Sequence, residues 1–307
     1  ASSSDAVARS PTTSSPTSPA CSSTWAIGGA GWRASWGRQD DSESIAAIHR
    51  AIELGVNWSD TAAVYGLGHS EEMVGEAIRG HRHEVLVATK CGQAWGEDRQ
   101  IVRTLKADSL RREVEGSLRR LGIETIDLYQ IHWPIPDEEL EEAWYTMAEF
   151  VKEGKARCIG VSNFSVEQMK RVLPIHPIAS LQPPYSMLRR EVEAEILPFC
   201  AQNGIGVVAY SPMQAGLLTG KFNKEYLTTL DAEDWRLKNP LFQEPLFSLN
   251  VEMVEAMKPI AERSGRSMAE LAIAWVMRRP EMTAAIVGAR RPSQIEGTAP
   301  ASGWVLS

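Results

Sequence analysis

Residues 126–134 read Ile-Asp-Leu-Tyr-Gln-Ile-His-Trp-Pro, a short apolar run that leads into a polar group, His132. The run Ile126–Gln130 is typical of a strand in a parallel sheet that is buried on both faces. The segment before it predicts a helix with one apolar stripe, ended by Gly122. That stripe consists of Leu110, Val114, Leu118 and Leu121. A strand that follows a helix in this way indicates an alternating α/β fold.

The same alternation continues on both sides of this segment, from Trp25 onward. The clear strand candidates are Val85–Thr89, Ile126–Gln130, Cys158–Val161, Gly206–Tyr210 and Ala284–Val287, and the weaker ones are Thr24–Ile27, Asn57–Asp60 and Ala179–Gln182. Helices that end at a glycine are predicted over Asp41–Leu54, Glu138–Glu153 and Glu191–Asn203. Capping-box spacing marks two more helix starts, at Ser165 with Gln168 and at Ser267 with Glu270. Eight strands are the number that closes a (β/α)8 barrel.

An open, doubly wound sheet would give the same alternation, so another signal has to separate the two folds. A dinucleotide-binding open sheet carries GxGxxG directly after its first strand. The nearest match, residues 204–209 (Gly-Ile-Gly-Val-Val-Ala), precedes a predicted strand and opens no helix. We therefore predict an α/β fold, a single-domain (β/α)8 TIM barrel, over residues 23–307.

Residues 1–22 differ in composition from the rest of the chain. Nine of the first 23 residues are Ser, three are Thr and three are Pro, and no continuous apolar segment follows a basic start. That composition does not fit a signal peptide. It predicts a poorly ordered N-terminal arm.

The overall charge limits the partners that the protein can bind. Its 307 residues carry a net charge of −7, which argues against a nucleic acid or an anionic membrane surface as partner. No apolar run approaches the roughly 20 residues that span a bilayer. The four cysteines lie far apart, without a CxxC pair or a spacing typical of metal ligands. We therefore expect reduced thiols, a cytoplasmic protein and no metal site.

Candidate functional residues follow the predicted strands directly. In a (β/α)8 barrel the ligand-binding and catalytic side chains gather at the C-terminal ends of the strands. The polar residues at these ends are Asp60, Lys90, His132, Ser162, Asn163, Gln182, Tyr210 and Ser211. Tyr65 follows in the loop after Asp60. If these ends converge, one pocket holds a carboxylate, an ammonium, a phenol and an imidazole.

These four groups together fit the donation of a proton to an oxygen. A lysine cation near Tyr65 is expected to lower the pKa of the phenol from its reference value of about 10. A carboxylate paired with Lys90 keeps the ammonium charged in a pocket of low dielectric constant. His132 can orient a carbonyl oxygen by donating a hydrogen bond, and hydride addition to that carbonyl requires protonation of the oxygen. Each residue alone has a structural explanation, such as a helix cap or a buried, satisfied histidine. Their joint occurrence favours a catalytic site.

Several segments also recur in the order in which one known family carries them. They are Thr24-Trp-Ala-Ile-Gly-Gly29, Ser59-Asp-Thr-Ala-Ala-Val-Tyr-Gly66, Glu71-Glu-Met-Val-Gly75, Ala88-Thr-Lys90, Ile126 to Pro134, Gly160-Val-Ser-Asn-Phe164 and Gly216-Leu-Leu-Thr-Gly-Lys221. Through them the chain resembles the aldo-keto reductases over nearly its whole length. Gln182-Pro-Pro-Tyr185 and Gly288-Ala-Arg-Arg-Pro292 are most similar to a bacterial, NADP-dependent subgroup, the family 11 type.

The resemblance implies a role for each matching residue. Asp60, Tyr65, Lys90 and His132 match the catalytic tetrad, with Tyr65 as general acid. The residues that match positions for the cofactor, NADPH, are Thr24, Trp25 and Asp60 at the first two strands, Ser162, Asn163 and Gln182 for the nicotinamide carboxamide, Tyr210 for stacking on the nicotinamide ring, Ser211, Pro212, Met213, Gly216 and Lys221 for the pyrophosphate, and Gly288, Arg290, Arg291 and Gln294 for the adenosine end.

The two arginines, Arg290 and Arg291, supply the positive charge that an acidic protein needs to hold a 2′-phosphate. A solvated basic turn is the alternative for this pair. Two departures from the family weaken other expectations. Gly297 and Thr298 stand where many members carry Glu-Asn against the adenine, and the Ser/Thr/Pro-rich arm stands in place of an N-terminal β-hairpin.

The predicted function is reduction of an aldehyde or ketone to an alcohol by hydride from NADPH, with a small carbonyl compound as the substrate. Two other classes remain open from the residues. One is an NADPH-binding regulatory subunit of the same fold with little turnover, like the potassium-channel β subunits, which carry Asn at the position of His132. The other is a metal-dependent barrel hydrolase, which needs several histidines and carboxylates at strand ends.

Overall fold

Eight parallel strands form a closed barrel in a computed structural model, which describes residues 20–32 and 34–306. The order around the barrel is β1, β10, β9, β8, β7, β6, β3 and β2, and two further strands, β4 and β5, form a separate antiparallel hairpin. In chain order the strands are β1 (Ala20–Ser23), β2 (Trp58–Asp60), β3 (Leu86–Cys91), β4 (Gln93–Trp95), β5 (Ile101–Arg103), β6 (Ile126–Ile131), β7 (Ala156–Ser162), β8 (Ser180–Gln182), β9 (Gly206–Ala209) and β10 (Met282–Gly288). The predicted (β/α)8 barrel is confirmed.

Helices follow the barrel strands and surround the sheet. Over the described ranges they are α1 (Asp41–Glu53), α2 (His69–Ala77), α3 (Ala107–Leu121), α4 (Leu140–Lys152), α5 (Val166–Val172), α6 (Ile196–Gln202), α7 (Lys224–Thr228), α8 (Leu246–Arg263), α9 (Met268–Met277) and α10 (Pro292–Glu296). Short 3₁₀ turns cover Trp25–Ile27, Tyr65–Gly68, Asp137–Glu139, Glu191–Glu193, Gln214–Thr219, Trp235–Lys238, Pro240–Phe242 and Ala299–Gly303. No helix in this part of the chain is long and apolar enough to cross a membrane.

The helix signals of the sequence act as expected in the structure. Leu110, Val114 and Leu121 of α3 are buried against the barrel, and Gly122 ends the helix at a φ of 65°. Ser165 forms a complete capping box at the start of α5, and Ser267 does so at the start of α9. These side chains satisfy backbone N–H groups that a helix start leaves unpaired.

The first strand of the barrel is not where its sequence indicated. We predicted a strand over Thr24–Ile27, but Trp25–Ile27 is a 3₁₀ turn and β1 lies at Ala20–Ser23. Residues 20–22, which we had placed in the arm, therefore belong to the barrel. This short polar strand is stabilised by pairing on both sides, with β10 and with β2. The rest of the predicted arm, residues 1–19, lies outside the described residues.

Other boundaries also differ from the prediction. The helices expected from Glu138 and from Glu191 each begin as a 3₁₀ turn and become α-helical only at Leu140 and at Ile196. The β4–β5 hairpin was not predicted. It lies between β3 and α3, at the C-terminal end of the barrel. Three of its residues, Gln93, Ile101 and Arg103, line the cavity described next.

Candidate active site

A cavity of about 1060 Å³ opens at the C-terminal ends of the barrel strands. It brings together most of the side chains that the sequence singled out. Those that line it are Trp25, Asp60, Tyr65, His132, Ser162, Asn163, Gln182, Tyr210, Ser211, Pro212, Met213, Gly216, Lys221, Gly288, Arg290 and Gln294. Lys90 lies buried beneath its wall, Arg291 is exposed and does not line it, and Thr24 is buried with its hydroxyl donating to the Asp60 carbonyl at 3.2 Å.

Asp60 and Lys90 form a buried ion pair at the floor of the cavity. The Lys90 Nζ lies 2.5 Å from Asp60 Oδ1 and donates a second hydrogen bond to the Thr61 carbonyl at 2.8 Å. The other carboxylate oxygen accepts from Gln182 Nε2 at 2.8 Å. Burial alone would lower the pKa of Lys90, but the Asp60 carboxylate and the Tyr65 hydroxyl together raise it. The ammonium is therefore charged at neutral pH.

Tyr65 is positioned by an unusually close approach of two backbone segments. It begins a 3₁₀ turn in which Gly66 has a φ of 63°. A Cβ built on Gly66 would lie 2.2 Å from the Gly28 carbonyl oxygen, and one built on Gly28 would lie 2.8 Å from the Gly66 nitrogen. Only glycines allow this contact. The loop after β1 thus fixes the loop that carries Tyr65.

The ring of Tyr65 packs among three aromatic side chains. Its centroid lies 6.4 Å from Trp25, 6.0 Å from Trp32 and 5.7 Å from His132, the last in an edge-to-face arrangement. The Lys90 Nζ lies 5.2 Å from the same centroid. The phenol therefore lies at the cavity close to both a cation and an imidazole.

The pKa of Tyr65 differs from the sequence-based expectation. We expected the nearby lysine to lower it, but burial raises the pKa by more than the Lys90 cation lowers it. Desolvation disfavours the charged phenolate, and this cost depends on the folded environment. Tyr65 is therefore protonated at neutral pH.

His132 is held as a neutral imidazole. Burial lowers its pKa well below the usual value, and the positive charges of Lys90 and Arg103 lower it further. The ring stacks on Trp133 with the centroids 6.4 Å apart. A neutral histidine keeps one N–H donor and one acceptor nitrogen at physiological pH.

Three polar side chains of the cavity wall, Ser162, Asn163 and Tyr210, form one hydrogen-bonded network with two backbone carbonyls. The Asn163 amide nitrogen donates to the His132 carbonyl and to Ser162 Oγ, both at 3.0 Å. Ser162 Oγ donates to the Gln182 carbonyl at 2.9 Å, and the Tyr210 hydroxyl donates to Asn163 Oδ1 at 2.9 Å. The network fixes each side chain in one orientation, and Tyr210 lines the cavity with its ring.

The remaining cofactor candidates lie toward the far end of the cavity. Gly216 has a φ of 94°, and a Cβ built on Gly288 would meet no atom of the described residues within 4 Å. Gly288 therefore leaves open space at this end of the cavity. Lys221 is exposed and has no ion-pair partner among the described residues. Arg290 donates to Gln39 Oε1 at 2.6 Å and to the Trp36 carbonyl at 3.1 Å.

Sequence reasoning missed Trp235, which completes an aromatic cluster with Trp25 and Trp36 on one side of the cavity. Trp235 stacks on Trp25 at 5.1 Å and meets Trp36 edge-on at 5.7 Å. The Trp235 backbone N–H donates to the Ser35 carbonyl at 3.0 Å. About 200 residues separate the two loops in the chain, so no local sequence pattern could reveal the contact. Trp95 of β4 lines a different cavity, beside Arg112.

The family model described as the aldo/keto reductase family matches residues 25–307. The chain belongs to this family. The predicted family is thereby confirmed, and its members are oxidoreductases. Among its relatives, the aldo-keto reductase YhdN of Bacillus subtilis (strain 168) is 41% identical over 287 residues, which cover 92% of this chain and 85% of that protein. The NADH-specific methylglyoxal reductase of Escherichia coli (strain K12) is 35% identical and covers 89% of this chain and 86% of its own length.

Solved structures of aldo-keto reductases agree with this assignment. The glycerol dehydrogenase AKR11B4 from Gluconobacter oxydans superposes with a TM-score of 0.86 at 40% identity, covering 97% of this chain and 90% of that one. An aldo/keto reductase from Klebsiella pneumoniae, in complex with NADP and acetate, gives a TM-score of 0.71 at 28% identity, covering 94% and 87%. The likeness to AKR11B4 confirms the predicted resemblance to the family 11 type.

In this aldo-keto reductase a buried carboxyl, Glu113 on α3, holds the start of the β4–β5 hairpin. It accepts hydrogen bonds from the backbone N–H groups of Gly92 at 2.9 Å and Gln93 at 3.3 Å, and from Ser109 Oγ at 3.1 Å. Burial raises the pKa of Glu113 to about 7, although the three hydrogen bonds lower it. The carboxyl thus ionises near neutral pH.

Replacing Glu113 with Gln is expected to change how stability depends on pH. Glu113 keeps its proton up to about pH 7 in the folded state, whereas an unfolded Glu loses it near pH 4.3. Its contribution to stability is therefore complete below the unfolded pKa and is lost as the pH rises through the folded one. The free energy of unfolding of the wild type should fall relative to Glu113→Gln by roughly 2 kcal/mol between pH 5 and pH 8.

Urea unfolding at both pH values measures this difference. Glu124→Gln is the matched control, because Glu124 is exposed and its loss should leave the pH profile unchanged. A constant difference between Glu113→Gln and wild type across this range would show that Glu113 ionises in the folded protein as it does in the unfolded chain.

Proposed function

We propose that this protein reduces aldehyde or ketone carbonyls to alcohols with NADPH, and that Tyr65 donates the proton. The observation that supports this most directly is the setting of Tyr65. Its protonated phenol lies at the cavity wall, close to both the neutral His132 ring and the charged Lys90. A carbonyl oxygen bound in this part of the cavity can accept hydrogen bonds from Tyr65 and His132, with the Lys90 cation nearby.

The residues of the cavity fit a nicotinamide nucleotide. The glycine at 288 leaves open space, Lys221 offers an unpaired cation, and the Gln182 amide oxygen accepts no hydrogen bond from the described residues. We assign Ser162, Asn163 and Gln182 to the carboxamide, Tyr210 to the ring, and the segment from Ser211 to Lys221 to the phosphates. When bound, the reduced nucleotide supplies a hydride for the carbonyl carbon.

The side chains of the protein then carry out the proton transfer. His132, being neutral, donates an N–H to the carbonyl oxygen and orients it. As negative charge develops on that oxygen, the Tyr65 hydroxyl gives up its proton to it. Lys90 stabilises the phenolate that remains, and Asp60 keeps the ammonium charged within the buried floor. The aromatic walls exclude water from this step.

The choice between NADPH and NADH rests on the adenosine end of the cavity. The Klebsiella pneumoniae relative binds NADP and the Escherichia coli relative is NADH-specific, so membership in the family leaves the preference open. We propose NADPH, because Arg290 lines that end of the cavity and the next residue, Arg291, adds an exposed positive charge. Arg290 is already bonded to the loop at residues 36–39, whereas Arg291 is exposed and without an ion pair in the described part of the chain.

Arg291→Ala is therefore expected to weaken NADPH binding selectively. A charge-assisted contact to a phosphate is worth about 1.5–3 kcal/mol, so the Kd for NADPH should rise by about tenfold or more while that for NADH changes little. Quenching of tryptophan fluorescence on titration with each cofactor measures both constants. Arg290→Ala is the matched variant and should weaken both cofactors, because it releases the 36–39 loop. Equal weakening of both cofactors by Arg291→Ala would assign the arginine another role.

The function as a whole is tested by NADPH oxidation in the presence of a panel of aldehydes and ketones. Oxidation that depends on the carbonyl compound, with the alcohol as the product, supports the proposal. Tight NADPH binding without turnover on any member of the panel would contradict it.

A further inference from the structure

The charges that line the cavity are unbalanced. Among the described residues of its wall, the one carboxylate is Asp60, which is paired with Lys90. The wall carries four cations, and one of these, Arg236, is paired with Asp234. The other three, namely Lys221, Arg290 and Arg103, have no carboxylate within ion-pair distance in that part of the chain.

Two of these three cations lie where we place the cofactor phosphates. Arg103 instead belongs to β5 of the hairpin and lines the cavity together with Tyr65 and His132. Its guanidinium lies 5.4 Å from the ring centroid of Trp133, and Trp133 in turn stacks on His132. The positive charge of Arg103 acts on the imidazole, because it contributes to the lowered pKa of His132. The cation is thus held next to the place where the carbonyl group reacts.

The stacking also determines what Arg103 can bind. A guanidinium that lies over an aromatic face is oriented by that face, while the N–H groups at its edge remain free to donate in parallel to a carboxylate or phosphate. The body of a substrate would meet the apolar walls nearby, formed by Trp32, Ile101 and Trp133. An arginine with an aromatic support and no acidic partner is a site for an anionic group.

We propose that Arg103 selects carbonyl substrates that carry an anionic group, a carboxylate or a phosphate monoester, over neutral ones. This inference rests on the proposed function, because it places the reacting carbonyl beside Tyr65. It assigns Arg103 a role in substrate specificity, outside the proton transfer itself.

A pair of matched aldehydes tests the proposal. The anionic one is 4-carboxybenzaldehyde, and the neutral one of the same shape is 4-formylbenzamide. The wild type should show a kcat/KM for the anion at least about tenfold higher than for the amide. Arg103→Met, which keeps the apolar contact with Trp133, should abolish that preference by raising the KM for the anion, so that the two aldehydes then have similar kcat/KM values. Lys106→Met is the control for net charge, because Lys106 is exposed and does not line this cavity.

Two further experiments distinguish a carboxylate site from a phosphate site, and failure of the Arg103 proposal from failure of the proposed function. Glyceraldehyde 3-phosphate compared with glyceraldehyde tests the phosphate, and a preference there alone would identify a phosphate site. Failure to reduce either aldehyde would overturn the proposed function. The role of Arg103 can still be tested in that case, because calorimetric binding of benzoate and benzamide requires no turnover. Equal kcat/KM for the two aldehydes and equal affinities for the two probes would overturn the role of Arg103. So would a preference for the anions that survives Arg103→Met.

Discussion

Tyr65→Phe is expected to lower kcat by a factor of about 10²–10⁴, the usual contribution of a positioned general acid. The phenylalanine ring keeps the packing against Trp25, Trp32 and His132, so the cavity should retain its shape. Because the nicotinamide nucleotide is assigned to other side chains, the Kd for NADPH should stay nearly unchanged. Steady-state turnover and fluorescence titration of the same preparation measure both quantities.

The outcome distinguishes proton donation from a purely structural role of Tyr65. A variant that keeps more than about a tenth of the wild-type kcat would contradict the assignment, since a lost general acid costs at least about a hundredfold. A matched control is Tyr145→Phe on α4, because Tyr145 is exposed and lies away from the cavity. That variant should keep full activity.

Lys90→Met is expected to remove activity and also to destabilise the fold. It leaves the Asp60 carboxylate buried with Gln182 as its remaining side-chain partner. Removing one member of a buried ion pair typically costs about 3–5 kcal/mol, because an uncompensated charge stays in a medium of low dielectric constant. Turnover should fall toward that of Tyr65→Phe, since the phenolate loses its cation. Urea unfolding and kcat are the two measurements.

The double variant Lys90→Met with Asp60→Asn separates the two effects. Removing both charges should recover most of the lost stability, because no buried charge is then left unpaired. Activity should not return. If Lys90→Met alone leaves the unfolding free energy unchanged, water reaches the pair and the floor of the cavity is not dry.

Strands that consist of a local apolar run could be predicted from the sequence, and the residues at the ends of these strands could therefore be predicted as well. Ile126–Gln130 is apolar enough to be identified without context, so His132 could be placed at the end of β6. Strand β1 could not be found in this way. Its four residues, Ala-Cys-Ser-Ser, have no strand pattern of their own, and they are extended because β10 and β2 pair with them on both sides.

Properties of the site that depend on contacts between distant parts of the chain could not be predicted from the sequence either. The sign of the pKa shift of Tyr65 follows from how deeply the ring is buried, which no spacing of residues encodes. The contact between Trp36 and Trp235 joins distant loops. The sequence did not indicate a role for Arg103 either, since an arginine in a polar loop is ordinarily solvated. Its position over Trp133 depends on the hairpin that carries it.

The pairing of β1 with β10 has a consequence for the order of events during synthesis. Ala20 lies opposite Ala285, so the first barrel strand meets its second neighbour only after nearly the whole chain has left the ribosome. Until then the edges of β1 and β9 that pair with β10 are open, and unpaired strand edges are the surfaces through which nascent chains aggregate. Asp60 and Gly288 lie on the two sides of that same seam, each paired with Ser23. A truncated chain therefore lacks the join between Asp60 and Gly288, and the cavity that both residues line is complete only when the last strand closes the ring.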